Sequence, residues 1–380
     1  MTRVVIVQEY IPHYRLPLFE RMAELGSERG IQVILAAGRP NEAQAARSDH
    51  AFLAGQRFVD QREFSLIGKR LVVRKVKTVT ADADFVVIEQ ARRNLDAYLL
   101  LARKRRSTPV ALWGHGRDYT HDAGWVDDGI RKLLTKRADW FFAYTDGGCQ
   151  AVTSEGFPRE RVTVLNNAVD TSELRRGIER LSKIEIDQFM FEHGLHGPTA
   201  LYLGGLDESK RIKFLLQSAV EIRARVPDFH LLVAGAGAEV EEVNRFVARH
   251  DWCSYLGPIR GQAKYLALAA AKVLTIPGRV GLVAVDSFAA GVPIITTSWP
   301  WHAPEFDYLK PGVNALVADN SLEGFVRTTV QALTDAVLLE GLANEASLSA
   351  SVYSVENMAV RYIDGLESWI RGKHSTKKGR

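Results

Sequence analysis

Short apolar runs rich in valine, isoleucine and leucine alternate along this chain with longer stretches whose apolar positions recur at helical spacing. That alternation is the signature of βα units on a parallel sheet. In the first half the strand-like runs fall at residues 4–7, 32–36, 85–88, 109–113, 140–144 and 162–165, with helical patterns such as 16–29 and 95–105 between them. Residues 38–64 are less regular and read as long loops or short strands near an edge. A second βα series starts at 200–203 and continues through 230–234, 252–256, 273–276 and 293–296. Between the two, residues 166–195 are polar and helical in pattern, which puts a linker near 167–172. Residues 354–371 form an amphipathic pattern whose Met358, Val360, Tyr362, Ile363 and Trp369 need a partner surface. The expected organisation is an α/β protein: a Rossmann-like domain over 1–168 joined by a C-terminal helix at 354–372, a second Rossmann-like domain over 169–353, and a disordered basic tail at 373–380.

Ligands of such sheets bind outside the carboxyl ends of the strands, and the residues able to carry chemistry collect there. His13, Tyr14 and Arg15 follow the first run, Glu89 to Arg93 the run at 85–88, and Gly114 to Asp118 the run at 109–113. In the second series Gly204 to Arg211, Gly235 to Gly237 and Gly278 to Gly281 hold the corresponding places. The stretch 277–296, PGRVGLVAVDSFAAGVPIIT, reads as a turn, a short helix and a buried strand, an order that offers an anion the N–H groups of a helix start. Asp286 on that first turn suits the helix dipole and could equally accept from a ribose. An ordinary buried helix and strand fits the segment alone as well.

His115 lies between glycines in WGHGRD at a strand end, where backbone can approach a ligand closely. Lys210 and Arg211 stand at a helix start, where cations oppose the dipole; an anionic ligand such as a diphosphate would relieve that opposition. Tyr14 offers a stacking face for a sugar and Arg15 a guanidinium for a phosphate or acidic sugar. Core packing of Tyr14 and helix capping by Arg15 are the plainer alternatives. Glu305 in WPWHAPE either binds a hydroxyl or caps the next helix. LLVAGAG lacks the third glycine of a dinucleotide fingerprint, so it is weak support for NAD.

Composition narrows the classes. A chain of 380 residues with 46% hydrophobic content has room for two cores, and a formal charge of +4 does not indicate a nucleic-acid binder. The basic residues cluster in the first half, at Lys69, Arg70, Arg74, Lys75 and Lys77, at 103–106, and at Arg131, Lys132, Lys136 and Arg137. They suggest a solvated face or a surface for anionic membrane. Two distant cysteines, Cys149 and Cys253, fit a reducing compartment and no zinc site or disulfide framework. With no secretory pattern at the N-terminus, a cytoplasmic protein, peripheral on the inner membrane face if it binds lipid, is the expectation. No Ser-His-Asp order, zinc spacing or Walker sequence occurs.

Taken in order, YIPHYRLPLFERM, LWGHGRD, VLNNAVDT, LYLGGLDESK, LLVAGAGAE, PGRVGLVAVDSFAAGVPIIT and HAPEFDYLKPGVNAL resemble the family-4 (group 1) glycosyltransferases over nearly the whole chain. The resemblance implies the GT-B fold, two Rossmann-like domains facing each other across a cleft. It also implies retaining, metal-independent transfer of a sugar from a nucleotide diphosphate sugar, with no further cofactor, to a glycan or lipid-linked acceptor, as in bacterial polysaccharide assembly. Carried over by position, His115 meets the donor sugar, Lys210 the diphosphate and Asp286 the ribose. Backbone N–H groups of Gly281, Leu282 and Val283 take the phosphates, with Gly204, Gly205 and Gly235 lining the donor. His13, Tyr14, Arg15, Glu89 and Arg93 are the expected acceptor contacts. Two positions depart from the family: Gly278 stands where the first of two glutamates usually is, with Asp286 in place of the second, and Gly205 replaces an arginine. Arg279 or Arg211 is close enough in sequence to restore the positive charge. A non-catalytic nucleotide-sugar binding subunit, a nucleotide-sugar epimerase and an NAD-linked oxidoreductase are the competing readings.

Overall fold

The computed structural model describes residues 1–42, 50–66, 69–91, 93–102, 108–119 and 125–378. The chain divides into two compact units, Met1–Asp170 with Val355–Arg380, and Thr171–Ser354. No helix among the described residues is long and apolar enough to cross a membrane.

The first unit is built on β1 (Thr2–Gln8), β2 (Ile31–Ala37), β3 (Arg57–Phe58), an antiparallel hairpin β4 (Gln61–Leu66) and β5 (Lys69–Arg74), β6 (Phe85–Glu89), β7 (Val110–Gly114), β8 (Trp140–Ala143) and β9 (Val162–Val164). Seven of these strands form one parallel sheet in the order β3-β2-β1-β6-β7-β8-β9. Val4 to Val7 of β1 are fully buried, because helices cover both faces of the sheet, which is why the strands read as continuous apolar runs. One face packs on the helix Leu16–Glu28 and on the last helix, Val355–Lys378, through Met358, Tyr362, Ile363, Leu366 and Trp369. Tyr362 stacks flat on Phe142 at 4.4 Å, and Gly365 lets that helix approach so closely that a Cβ there would lie 2.5 Å from Thr163 Oγ1. This last helix runs to Lys378, so the expected tail at 373–380 is helical over most of its length; no proline interrupts it after Gly372.

The second unit carries β10 (Thr199–Leu203), β11 (His230–Ala234), β12 (Cys253–Gly257), β13 (Val273–Thr275), β14 (Ile294–Thr297) and β15 (Ala315–Ala318), all parallel, in the order β12-β11-β10-β13-β14-β15. The edge strand β15, four residues of ALVA, is too short to stand out in the sequence. In both units the strand order reverses at one place, between β1 and β6 in the first and between β10 and β13 in the second. Those are the topological switch points, where adjacent loops part and leave a crevice at the carboxyl edge.

The hairpin changes the meaning of the first basic cluster. Arg74 is wholly buried against Asp96, Nη2 to Oδ2 2.8 Å, and Arg70 pairs with Glu9 and Glu63. In the third cluster Arg131 pairs with Glu155 at 2.5 Å. These arginines are therefore internal or paired rather than a free membrane-facing surface. The cluster at 103–106 lies outside the described residues.

Candidate active site

In the second unit the β10/β13 switch point is assembled from backbone. Gly204 and Leu206 donate to the carbonyls of Ala234 and Ala236, at 3.1 and 2.9 Å, lacing the loop after β10 to the loop after β11. A Cβ on Gly235 would stand 1.8 Å from Gly204 O and one on Gly237 2.2 Å from Leu206 O, so the GAG sequence serves loop-on-loop contact. On the other side of β10, Gly278 meets the turn Glu208–Lys210: its Cβ would lie 2.5 Å from Ser209 O and 2.6 Å from Lys210 C. Arg279 N–H donates to Ser209 O at 2.9 Å, and Lys210 Nζ donates to Arg279 O at 2.6 Å. The glycine at 278 thus admits the main chain of the Lys210 turn into the space a side chain would fill. Gly205 is different in kind, since its Cβ would meet only the Asp207 carboxylate tip, at 2.8 Å.

Lys210 is half-buried, and burial lowers its ammonium pKa, with Asp207 and Glu305 acting in the opposite sense. Its position on the turn depends on Asp207, which accepts from Ser209 N–H at 3.0 Å. Next to it Arg211 adopts a left-handed backbone, φ 58°. Its guanidinium lies over the rings of Phe214 and Trp299 and donates to Asn320 Oδ1 at 2.7 Å, to Pro277 O and to Thr297 Oγ1. This corrects its expected role at a diphosphate: its donors tie the ends of β13, β14 and β15 together. Arg279 donates from Nη1 to Trp301 O at 3.2 Å, which directs it toward the loop after β14.

The loop Pro277–Leu282 leads into the helix Val283–Ala290, whose first turn carries Asp286. Gly281 faces the buried Glu305, a Cβ there coming 3.8 Å from Glu305 Oε2. Two residues that the sequence reading missed fix this region. Lys264 Nζ is 2.9 Å from Asp286 Oδ1, so the carboxylate expected at a ribose is already paired. His302 accepts from Val280 N–H on Nδ1 at 3.1 Å, and its Nε2 lies 2.9 Å from Thr297 O. A backbone N–H can only donate, so the proton sits on Nε2 and the ring is neutral. Burial pushes its pKa down to about 4. Stacked on Phe306 at 4.0 Å, it clamps the glycine-rich loop to the end of β14. The HAPE sequence was the available signal.

In the first unit the carboxyl edge is assembled from side chains. His115 follows β7 and is exposed, its ring tilted over Tyr144 at 4.4 Å. Gly116, φ 75°, and Gly148 let its loop press on the helix Asp146–Ser154: a Cβ on Gly116 would be 2.4 Å from Gly148 O. Gln90 accepts from Gly116 N–H at 2.9 Å and donates to Thr135 at 3.0 Å, so the end of β6 positions the His115 loop. His13 and Tyr14 are exposed, on the single turn His13–Arg15. Tyr14 is therefore not core. Arg15 is only 5% exposed, with its guanidinium over Tyr14, Trp113 and Tyr144 and 3.6 Å from Met358 Sδ. Arg15 does stand at the N-cap position of the helix Leu16–Glu28, with no capping hydrogen bond from its side chain, and its burial corrects the expectation of a phosphate contact.

At the β1/β6 switch point Glu9 N–H donates to Glu89 Oε2 at 2.9 Å across the gap between the two strands. Arg74 and Asn94 donate to the same oxygen at 3.2 and 3.4 Å. Glu9 itself is 1% exposed, held by Arg70 and by Arg93 Nε at 2.6 Å. Enclosure raises the Glu89 carboxyl pKa, with Arg74 opposing and Glu9 reinforcing the rise. The hairpin reaches this edge because Val72 N–H donates to Arg93 O at 2.7 Å.

Comparison with known proteins follows the same division. Residues 19–173 match the Glycosyltransferase Family 4 model and residues 197–335 the Glycosyl transferases group 1 model. A phosphatidyl-myo-inositol mannosyltransferase of Mycolicibacterium smegmatis is 25% identical over 229 residues, 59% of this chain and 56% of that protein, so the chain spans just over half of that relative's length. Among solved structures, HepE of Anabaena in complex with UDP superposes with a TM-score of 0.72 at 14% identity, covering 97% of this chain and 100% of that one. Its UDP-glucose complex gives 0.67 at 14% identity, covering 97% and 100%. Sucrose-phosphate synthase of Thermosynechococcus elongatus gives 0.69 at 13% identity, covering 98% and 100%.

Proposed function

We propose, on the premise that this chain belongs to the group 1 glycosyltransferases of the GT-B fold, that it moves a sugar from a nucleotide diphosphate sugar held by the second unit to a hydroxyl of an acceptor held by the first. The observation that carries this reading is the half-buried Lys210, anchored at the β10/β13 switch point with its ammonium on a backbone carbonyl beside the glycine-rich loop. A diphosphate is the natural exchange partner for that carbonyl: it brings more charge to the same cation. The N–H groups of Gly281, Leu282 and Val283 would add a helix start to its second face. Asp286 would then share Lys264 with the ribose rather than stand alone.

In the proposed mechanism the leaving diphosphate departs with retention, and its oxygen helps take the acceptor proton. The chain's own part is orientation and stabilisation of the leaving charge. Lys210 and the helix start would do this without a metal ion. The co-complexes of HepE with UDP and UDP-glucose favour a uridine donor. A glycan or lipid-linked acceptor, in bacterial polysaccharide assembly at the cytoplasmic membrane face, is the setting this activity suits.

The test is a melting panel of UDP, GDP, ADP and NAD, followed by donor turnover with the anomeric configuration of the product read by NMR. A shift with one nucleoside diphosphate, absent in Lys210→Ala, is the expected result. No shift with any of them removes the donor assignment. One second reading has an observation behind it: at Gly278, where the family usually has a carboxylate, main chain fills the space. A non-catalytic nucleotide-sugar binding subunit would give the melting shift with no turnover.

A further inference from the structure

At the β1/β6 switch point, Glu89 is anchored from one side only. All three of its donors, Glu9 N–H, Arg74 Nη1 and Asn94 Nδ2, converge on Oε2. Oε1 accepts nothing among the described residues, while the side chain keeps 24% of its surface exposed. Arg74 cannot follow a ligand away, because it is locked into the buried Asp96 through Nε and Nη2 at 2.8 to 3.1 Å. The result is a rigid carboxylate with one oxygen held and the other without a donor, on a residue that lines a small cavity with Gln90, Ala97, Leu101, Arg131 and Thr135. Its neighbour in sequence, Gln90, holds the loop of His115 on the adjacent strand, and Glu89 itself is in register with Trp113, two residues before His115.

We propose that Glu89 Oε1 accepts a hydrogen bond from a hydroxyl of the acceptor, making Glu89 the residue that selects a neutral polyol, and not a phosphate or acidic sugar, at this edge. Among the described residues the arginines of this edge are committed: Glu9, Glu63, Glu89 and Asp96 face Arg70, Arg74 and Arg93, and each of these arginines is already paired to a carboxylate. An incoming phosphate would compete with these carboxylates for the same arginines, whereas a hydroxyl supplies the donor that Oε1 lacks. Arg15, the group that the sequence offers for an acidic acceptor, is buried beneath aromatic rings. This assignment rests on the first unit being the acceptor side of a glycosyltransferase.

The test uses the full-length protein with UDP present and saturation-transfer NMR of four neutral polyols, the methyl α-glycosides of glucose, mannose and galactose and myo-inositol, with glucose 6-phosphate as the anionic counterpart. Glu89→Gln keeps an oxygen for the three anchoring donors and turns an NH2 outward; Glu89→Asp keeps the charge and withdraws it by one methylene. The expected result is binding of at least one neutral polyol by the wild type, weakened about tenfold or more in both variants, as for a lost hydrogen bond to a charged group. Binding unchanged in both variants, no polyol binding by the wild type, or a preference for glucose 6-phosphate overturns the assignment. Melting shifts with nucleoside diphosphates in the same samples separate the two questions. An unchanged shift in Glu89→Gln reports an intact fold. A wild type that binds polyol through Glu89 and ignores every nucleotide would sink the transferase reading while leaving Glu89 in place.

Discussion

The two switch points solve the same structural problem with different materials. At β10/β13 the loops are brought together by removing side chains: Gly235, Gly237 and Gly278 each place main chain against main chain, and the charged groups Lys210 and Arg279 are held by carbonyls. At β1/β6 the loops are held by adding side chains, with Arg74 and Asp96 fully buried, Glu9 N–H donating to Glu89, Arg70 and Arg93 holding Glu9, and Arg74 holding Glu89. A backbone-built edge leaves N–H groups and one cation free to exchange with an anion. An edge built from ion pairs has its charges already satisfied and offers directed acceptors instead. The second unit should therefore be sensitive to added volume and the first to lost charge.

The largest expected effect tests the ion-paired edge. Arg74→Met leaves Asp96 buried without its partner and should destabilise the first unit by about 3–5 kcal/mol, measured by urea unfolding of the nucleotide-bound protein. If the edge matters as a network, Arg74→Met with Asp96→Leu should recover much of that loss, since replacing both partners by apolar groups removes the unpaired charge. A loss below about 1 kcal/mol for the single variant would mean that the buried pair holds nothing together. Next in size is Lys210→Ala in the second unit, which should leave melting without ligand nearly unchanged and lower donor turnover by about 10²–10³-fold, as for loss of one preorganised charge at a leaving group.

Gly278→Glu is the informative intermediate case. By family pattern it restores a carboxylate and should improve donor handling; by the geometry it forces a side chain into the carbonyls of Ser209 and Lys210. We expect a cost of about 1–3 kcal/mol in stability and loss of the UDP or GDP melting shift, because the Lys210 turn must move. A gain in turnover would show that the turn relaxes easily and that the backbone-built edge is not rigid.

Much of this was legible in the sequence, and unevenly so. Fully buried parallel strands leave continuous apolar runs, so the central strands of both sheets could be read directly, while the short edge strand β15 could not, and the apolar face of Met358, Tyr362 and Trp369 marked the last helix as one that must pack. Glycine marks close approach, so Gly235 and Gly278 stood out, although whether a ligand or another loop makes the approach is a tertiary fact. The β1/β6 edge was not legible: Arg74 reads as one more basic residue until a hairpin of two short strands carries it to Asp96, 22 positions away. Arg15 failed for the same reason, since its burial depends on Trp113, Tyr144 and Met358 converging from three distant segments. Lys264 lies outside any motif that composition or periodicity could single out, and His302, although it opens the HAPE motif, carries nothing in sequence that marks its ring as a backbone clamp.

The smallest effect sharpens the comparison through pH. His302 is neutral in the folded second unit, with its pKa lowered from 6.5 to about 4 by burial. An unfolded histidine takes up a proton near pH 6.5 and the folded one does not, so its stabilising contribution is complete above that pH and is lost as pH falls toward 4. Between pH 7.5 and 5.5 the loss for this one residue is about 1 kcal/mol. His302→Gln should therefore unfold with a shallower pH dependence than the wild type over that interval, in the second unit's transition. Because the folded ring stays neutral down to about pH 4, the clamp of Val280 to Thr297 should persist over that interval, and the nucleotide melting shift should not fall through His302. Parallel pH profiles for His302→Gln and wild type would mean that the ring is already free to titrate in the folded protein, and that backbone contacts alone set the geometry of the β10/β13 edge.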